Sequence, residues 1–330
     1  MLRLATVGTS MITERFLNAV DVTEGITPYG VFSRSIEKAK AIGEPHGVAV
    51  FYTSYEQLLA DDNVDIVYIG SPNSLHFGYA MAAVEAGKAV ICEKPFVSNM
   101  AEFYELKHKA EEKRAFVFEA ITSISMPNMA RLREGLREIA PIHLAKIDYS
   151  QFSSRFPLLQ AGERSNIFST EFSGGALYDL GVYPAHLAIA LFGEPKQVAA
   201  FCNSEKFGVD TSGAVMLKYD DLVCTLTFSK DSYSAVNTEF QGEGGYVTVT
   251  GSTGRIMNIM LTNTAGQTKN IGVEQDENPM IYEAAAFVKI IEEDDFESVR
   301  KAFAQSEGVM KLLCDARKAA GIVFAADKKL

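Results

Sequence analysis

The chain has 330 residues, 47% of them hydrophobic and 22% charged, and a formal net charge of −11. That length is generous for one core and suits two domains. The acidic balance excludes a nucleic-acid binder, which needs a basic face, but not a local cluster that grips one anionic cofactor. Cys92, Cys202, Cys224 and Cys314 lie far apart with no Cys-x-x-Cys pair. They read as reduced thiols, and neither a disulfide framework nor a metal site is expected. The apolar start Met1–Val7 is too short for a signal peptide, and no run approaches the roughly 18 apolar residues of a membrane helix. A cytoplasmic protein with no membrane partner is expected.

Strand-like and helix-like segments alternate at first. Strands are predicted at Leu2–Val7, Thr27–Phe32, Val48–Tyr52, Val64–Gly70, Ala89–Cys92 and Phe116–Glu119. Between them helices are predicted at Met11–Val20, Ile36–Gly43, Glu56–Ala60, Leu75–Ala86 (ended by Gly87) and Met100–Lys113. Regular βα alternation with doubly apolar strands implies a doubly wound parallel sheet of the Rossmann type over residues 1–120. The pattern then changes. Beyond Ile142, alternating runs recur with glycine-rich turns: Leu144–Tyr149, Gln197–Cys202, Ala214–Tyr219, Val223–Ser229, Ser234–Gly242, Tyr246–Thr250, Ile256–Thr262 and Lys269–Val273. They predict a mostly antiparallel, open-faced sheet in an α+β domain over 121–330. Helices are predicted at Gly174–Leu191, Pro279–Glu293 and Val299–Val323. With no linker visible, the two domains are expected to pack tightly and leave a cleft.

The turn Val7-Gly8-Thr9-Ser10-Met11-Ile12-Thr13 stands where a dinucleotide fold places Gly-x-Gly-x-x-Gly. Only Gly8 matches; Ser10 and Thr13 replace the other glycines and are expected to offer hydroxyls to phosphates. A plain strand-to-helix turn capped by Ser10 is the alternative, and the surrounding βαβ pattern favours the cofactor reading. Strand two ends in Ser33-Arg34 with no acid before Glu37. An NAD site usually carries an acid there, whereas Ser33, Arg34 and Lys38 suit a 2′-phosphate, so NADP is expected and NAD is possible. Ser71-Pro72-Asn73 and His76 follow strand four; Asn73 is placed to cap the next helix, and both it and His76 are expected along the nicotinamide end.

The most unusual stretch is Cys92-Glu93-Lys94-Pro95, a charged pair followed by proline at the end of an apolar strand. Ligands bind at the carboxyl ends of such strands. The second unusual stretch is Gly174-Gly175 through Asp179 and Tyr183 to His186. At i, i+4 and i+7 these three polar residues project from one face of an apolar helix. A lysine of depressed pKa, or a tyrosine beside a cation, can move the proton that accompanies hydride transfer at a carbinol. Lys94 and Tyr183 are therefore the expected acid/base pair, with Asp179 orienting substrate hydroxyls or Lys94, and Glu93 holding the loop or a ribose hydroxyl.

Together, Gly8-Thr9-Ser10, Ser33-Arg34, Ser71-Pro72-Asn73 with His76, Glu93-Lys94-Pro95, and the Gly174-Gly175…Asp179…Tyr183 helix resemble the Gfo/Idh/MocA oxidoreductase family. The ending, with Tyr282-Glu283, Phe287 and Glu297-Ser298, extends the resemblance over nearly the whole chain. It implies a Rossmann domain plus an open-faced sheet domain. It also implies a lysine beside the nicotinamide, often with an unusual peptide bond before Pro95. Many members have histidine at the position of Tyr183. Tyrosine there is similar to the minority that includes dimeric dihydrodiol dehydrogenase, where it is the proposed acid/base. The chain departs from the family in its missing second and third glycines.

The segment Gln151–Phe156 followed by Arg164-Ser165-Asn166 is long, polar and dotted with aromatics. Arg164 and His186 are expected near a substrate, although a surface salt bridge suits Arg164 equally well. The resemblance implies a sugar, polyol or dihydrodiol substrate for an NAD(P)-dependent dehydrogenase. Its rivals are a glycosidase that uses bound NAD transiently and a non-catalytic dinucleotide-binding regulator. An open sheet face invites pairing, so a homodimer or homotetramer is expected.

Overall fold

Short apolar runs in the first third of the chain form six parallel strands. They are β1 (Leu2–Val7), β2 (Ile26–Phe32), β3 (Val50–Tyr52), β4 (Ile66–Ile69), β5 (Ala89–Glu93) and β6 (Val117–Ala120), in the order β3-β2-β1-β4-β5-β6. The structure is a computed structural model and describes residues 1–204, 206–235 and 237–329. Between the strands lie α1 (Met11–Val20), α2 (Ile36–Gly43), α3 (Tyr55–Leu59), α4 (His76–Glu85) and α5 (Met100–Lys113). Every residue of β4 and β6 is buried, as parallel strands covered on both faces must be. The strand order reverses between β1 and β4, the place where such sheets bind ligands.

The β1–α1 turn is tight. Gly8 has φ +106°, and a Cβ there would stand 2.8 Å from the Gly70 carbonyl oxygen. Thr13 is fully buried, and a Cβ on Gly70 would lie 2.6 Å from its hydroxyl. The close helix–strand packing that the third glycine supplies in the usual motif is supplied here by Gly70, directly after β4. Thr13 is thus a packing residue, and the expectation that its hydroxyl meets a phosphate is corrected.

The chain divides into two units, and the division is not the expected one. Residues 1–120 are joined by residues 278–306, while 121–277 and 307–330 form the other unit. Residues 278–306 had been assigned to the second domain; they contain α10 (Met280–Glu292) and the start of α11 (Phe296–Ala319). They complete the first core: Phe287 stacks on Phe118 with centroids 4.7 Å apart, and Phe303 meets Phe96 and Phe103.

The second unit begins with two unexpected helices, α6 (Thr122–Ser125) and α7 (Pro127–Glu138). After them come β7 (Ile142–Ser150), α8 (Phe156–Gln160), α9 (Val182–Phe192), β8 (Gln197–Ser204), β9 (Asp210–Lys218), β10 (Val223–Ser229), β11 (Asn237–Gly242), β12 (Gly245–Thr250), β13 (Asn258–Asn263) and β14 (Thr268–Asn270). The eight strands run in the order β14-β13-β12-β11-β7-β10-β9-β8, antiparallel except for the β7–β10 pair. Val236, inside the expected strand Ser234–Gly242, lies outside the described residues. One face is packed by α9 on β7 and β10. On the other, Met216 and Phe201 are 55% and 83% exposed, while Val215 and Leu217 beside Met216 are buried. One stretch, Thr170–Phe192, is long and apolar enough to cross a membrane, contrary to the expectation that no run is. Its apolar surface is spent on the core of this unit: 72% of the apolar window is buried.

The two glycines ahead of α9 have steric reasons. A Cβ on Gly174 would sit 2.6 Å from the Ile167 carbonyl oxygen. Gly175 has φ +119°, and its Cβ would fall 2.1 Å from Oδ1 of Asp210, the carboxylate that accepts the Leu177 N–H at 2.6 Å. Gly175→Ala combines backbone strain with a clash and should cost at least about 2 kcal/mol, read as a lower urea midpoint. Gly47→Ala, also at positive φ but with open space around its Cβ position, should cost less.

Candidate active site

Every cofactor residue named from the sequence lies in the first unit, at the carboxyl edge of its sheet or in the helical turn that follows. Gly8, Thr9 and Ser10 link β1 to α1, whose first residues are Met11 and Ile12; Ser33 and Arg34 follow β2, with Lys38 in the first turn of α2. Ser71, Pro72 and Asn73 follow β4, and Glu93, Lys94 and Pro95 end β5. The Ser10 side chain does not cap α1; it sits 3.3 Å from the Thr13 hydroxyl and 3.4 Å from the Gly70 carbonyl oxygen. Among the described residues the first turn of α1 thus has no side-chain cap, which fits a phosphate held at a helix N-terminus. By contrast α2 is capped: the Ser35 hydroxyl accepts the Lys38 N–H at 3.3 Å and donates to Glu37 at 2.6 Å. Glu37 is thereby engaged locally, and among the described residues no carboxylate pairs with the exposed Arg34. These residues fit a dinucleotide carrying a 2′-phosphate. Asn73 opens a short helical turn rather than capping one from outside.

From Val90 to Asn99 every residue is buried except Lys94. Its flanks are tied on each side. The Tyr68 hydroxyl donates to Glu93 at 2.6 Å, and the Phe96 N–H donates to Glu119 at 3.0 Å. Glu119 also accepts from the Ser306 hydroxyl at 2.6 Å. The Lys94–Pro95 peptide is cis. His76 is fully buried, its ring nitrogens 2.9 Å from the carbonyl oxygens of Pro95 and Ser71. Two carbonyl partners favour the doubly protonated ring, but burial outweighs them and lowers its pKa. His76 therefore joins two loops from within, and the expectation that it lines the nicotinamide end is corrected.

In the second unit, every residue from Ser173 to Ile189 is buried except Asp179 and Tyr183. The expected three-residue face fails at His186, which is fully buried. A π-helical turn, Leu177–Gly181, carries Asp179 ahead of α9 and breaks the 3.6-residue arithmetic that linked Asp179 to Tyr183 and His186. Tyr183 packs edge-on to Tyr149 with ring centroids 5.1 Å apart. Asp179 is ion-paired with Lys230, a buried lysine that the sequence reading missed. Its signal was available: like Lys94, it is a lysine set directly at the end of an apolar strand. Asp210 was missed as well. Burial pushes its carboxyl up to about 6, against the backbone N–H groups it accepts and the charge of Lys230. Arg164 stands 3.4 Å from Glu171 and 4.4 Å from the centre of the Phe207 ring within its own unit, the surface salt bridge that was the alternative to a substrate contact.

Residues 2–121 match the oxidoreductase family with an NAD-binding Rossmann fold, and residues 137–257 match the GFO/IDH/MocA C-terminal domain. Over 328 residues the chain is 36% identical to scyllo-inositol 2-dehydrogenase (NADP(+)) IolU of Bacillus subtilis, spanning 99% of this chain and 100% of that protein. The chain belongs to the Gfo/Idh/MocA oxidoreductase family. It is 29% identical to trans-1,2-dihydrobenzene-1,2-diol dehydrogenase of Mus musculus, over 91% of this chain and 90% of that one. A 3-ketoreductase from Actinomadura kijaniata, solved with NADP and TDP-benzene, shares the fold with a TM-score of 0.86 at 21% identity, over 98% of this chain and 99% of that one. As a Gfo/Idh/MocA enzyme the protein is an NAD(P)-dependent oxidoreductase acting on CH–OH groups.

This Gfo/Idh/MocA chain keeps a third buried acid in its first unit, besides Glu93 and Glu119. Glu283, in the first turn of α10, is fully buried, and neither carboxyl oxygen has a hydrogen-bond partner among the described residues. Burial, and then the charge of Glu93, push its pKa well above the usual carboxylate range. A raised folded-state pKa contributes stability that is complete below the ordinary carboxylate pKa and is lost as pH rises toward the raised value. Glu283→Gln removes this loss. The urea midpoint of the glutamine variant minus that of the wild type should increase from pH 5 to pH 8; a constant difference would put Glu283 back in the ordinary range.

Proposed function

We propose that the protein is an NADP-preferring dehydrogenase of vicinal diols, with Lys94 and Tyr183 handling the proton and Asp179 orienting the diol through the hydroxyl beside the reacting one. The observation that carries this reading is selective exposure. In two otherwise buried stretches, Val90–Asn99 and Ser173–Ile189, the only side chains left partly exposed are Lys94, Asp179 and Tyr183. Burying a polar group costs free energy unless it is satisfied, and leaving three chemically capable ones at the surface of apolar segments needs a reason. The relatives narrow the substrate class. Inositol and dihydrobenzene-1,2-diol both carry a carbinol beside a second hydroxyl, so a vicinal diol oxidised to a hydroxyketone is the shared chemistry.

Gly8, Thr9, Ser10 and the N-terminus of α1 would hold the pyrophosphate, and Ser33, Arg34 and Lys38 the 2′-phosphate. The bound nicotinamide supplies the hydride acceptor in oxidation and the donor in reduction. The chain's own task is the proton on the substrate oxygen, which leaves as the C–H bond breaks. Lys94 and Tyr183 are the groups able to take it and to return it in the reverse direction. Asp179 accepts a hydrogen bond from the neighbouring hydroxyl and so selects diols over simple alcohols.

A panel of inositols, aldoses and cyclic diols, read by absorbance of the reduced cofactor with NADP and NAD in parallel, tests the reading. Lys94→Ala should lower kcat by about 10²- to 10⁴-fold while NADPH binding stays near wild type; wild-type turnover would remove Lys94 from the chemistry. Arg34→Ala should weaken NADPH by about 10- to 100-fold, the worth of a charge-assisted contact, and leave NADH nearly unchanged. Equal losses for the two cofactors would remove the 2′-phosphate assignment.

A further inference from the structure

Lys230 follows β10 directly and is 5% exposed, yet no step of the reaction above requires it. Its backbone N–H donates to the Thr211 carbonyl at 2.8 Å, and its ammonium is bonded to Oδ2 of Asp179. Sealing an ammonium from water costs several kcal/mol and persists where a carboxylate answers it. The acid next to it in the chain does not do so: Asp231 receives the hydroxyls of Thr211, Ser212 and Ser229 at 2.7, 2.8 and 2.8 Å. Asp210 caps Leu177 and feels Lys230 through charge alone.

The pair is lopsided. The Lys230 side chain is 6% exposed and that of Asp179 25%. A carboxylate recruited only to neutralise a buried lysine would be sealed in with it. Here the cation is inside and the anion faces out, from a π-helical turn that displaces it from regular helical geometry. One carboxyl oxygen is thereby fixed from behind, and the group cannot rotate without breaking an ion pair in a low-dielectric setting.

We propose that Lys230 is a positioning residue for the dehydrogenase: its ammonium clamps Oδ2 of Asp179 and sets the direction in which that carboxylate meets a substrate hydroxyl. This rests on the reading of Asp179 as the diol-orienting group. Besides Tyr178 in the turn itself, the elements packed around it carry His143, Lys146, Asp148 and Tyr149 on β7, Asp210 and Lys218 on β9, Cys224 on β10, and Tyr183 and His186 on α9, with Asp231 just after β10.

The test compares Lys230→Met, Lys230→Arg, Asp179→Asn and the double variant Asp179→Asn/Lys230→Met in the full chain. Lys230→Met should lower kcat/KM by about 10²-fold, the scale of a small misplacement, with the Kd for NADPH unchanged. Lys230→Arg should recover to within about tenfold, because a guanidinium can make the same bond. The double variant should be no slower than Asp179→Asn alone, since a clamp has nothing to hold once its carboxylate is gone. Multiplied losses in the double variant would overturn the proposal and leave Lys230 a merely structural residue. An independent readout uses protein labelled with ¹³C-carboxyl aspartate, the Asp179 signal being assigned by its loss in Asp179→Asn. Removal of the clamp should raise the titration midpoint of that signal by about 1 to 3 pH units. An unchanged midpoint in folded Lys230→Met, or in Lys230→Gln where the methionine variant does not fold, would also overturn it. If wild-type protein turns over no diol, the substrate reading falls, while the titration still decides the clamp.

Discussion

The residues from Glu93 to Val97 leave the end of a strand without leaving the protein interior, and the first unit is organised around that constraint. A chain that turns inside a core must find buried partners for each polar group it carries, at a cost of about 1–3 kcal/mol for every one left unmet. Tyr68 meets Glu93, Glu119 meets the Phe96 N–H, and His76 meets the Pro95 carbonyl. Each partner comes from a different element: β4, β6 and the start of α4. Lys94 sits in the middle of this mesh, so its position is set by hydrogen bonds on either side of it. A side chain held this way loses little entropy when it acts.

The second unit solves a related problem with charge. Its central helix is almost wholly apolar, and it begins where no ordinary residue fits, at two glycines pressed against carbonyl oxygens and the Asp210 carboxylate. Asp210 closes the helix start, and the π-helical turn then pushes Asp179 outward while Lys230 holds it from below. In both units a buried polar framework presents a very small number of reactive side chains. The two frameworks differ in kind: hydrogen bonds to main chain and to Glu93 around Lys94, a salt bridge behind Asp179.

Much of this was legible in the sequence, for definable reasons. Strands covered on both faces read as apolar runs, so the parallel sheet and helices α1, α2 and α5 follow from composition with their ends nearly in place. The Glu-Lys-Pro stretch stood out because charge beside proline is incongruous at the end of a buried strand. What escaped reading depended on contacts distant in sequence. Helix α7 carries Arg131, Arg133 and Arg137 on its polar side, and its buried Met129, Leu132 and Leu136 form a stripe too sparse to be seen among them. The spacing argument that grouped His186 with Asp179 assumed an unbroken 3.6-residue period, which the π-helical turn does not keep. Thr13 looked like a lost glycine because the small residue that compensates for it, Gly70, lies 57 residues on, at the end of β4.

The return of residues 278–306 to the first unit has a consequence for how the protein is made. The six-stranded sheet is complete in sequence once Ala120 has been synthesised, but the segment that finishes its core, residues 278–306 with Phe287 against Phe118 and Phe303 against Phe96 and Phe103, begins to emerge only about 160 residues later. At translation speeds of roughly 5–20 residues per second, the nascent sheet waits about 8 to 32 s with that apolar surface uncovered. The newborn chain is thus a natural client for chaperones during that interval. The segment ending at Ala120 resembles a self-contained nucleotide-binding cassette in its strand order alone, and transplanted by itself into another protein it would carry an unfinished core.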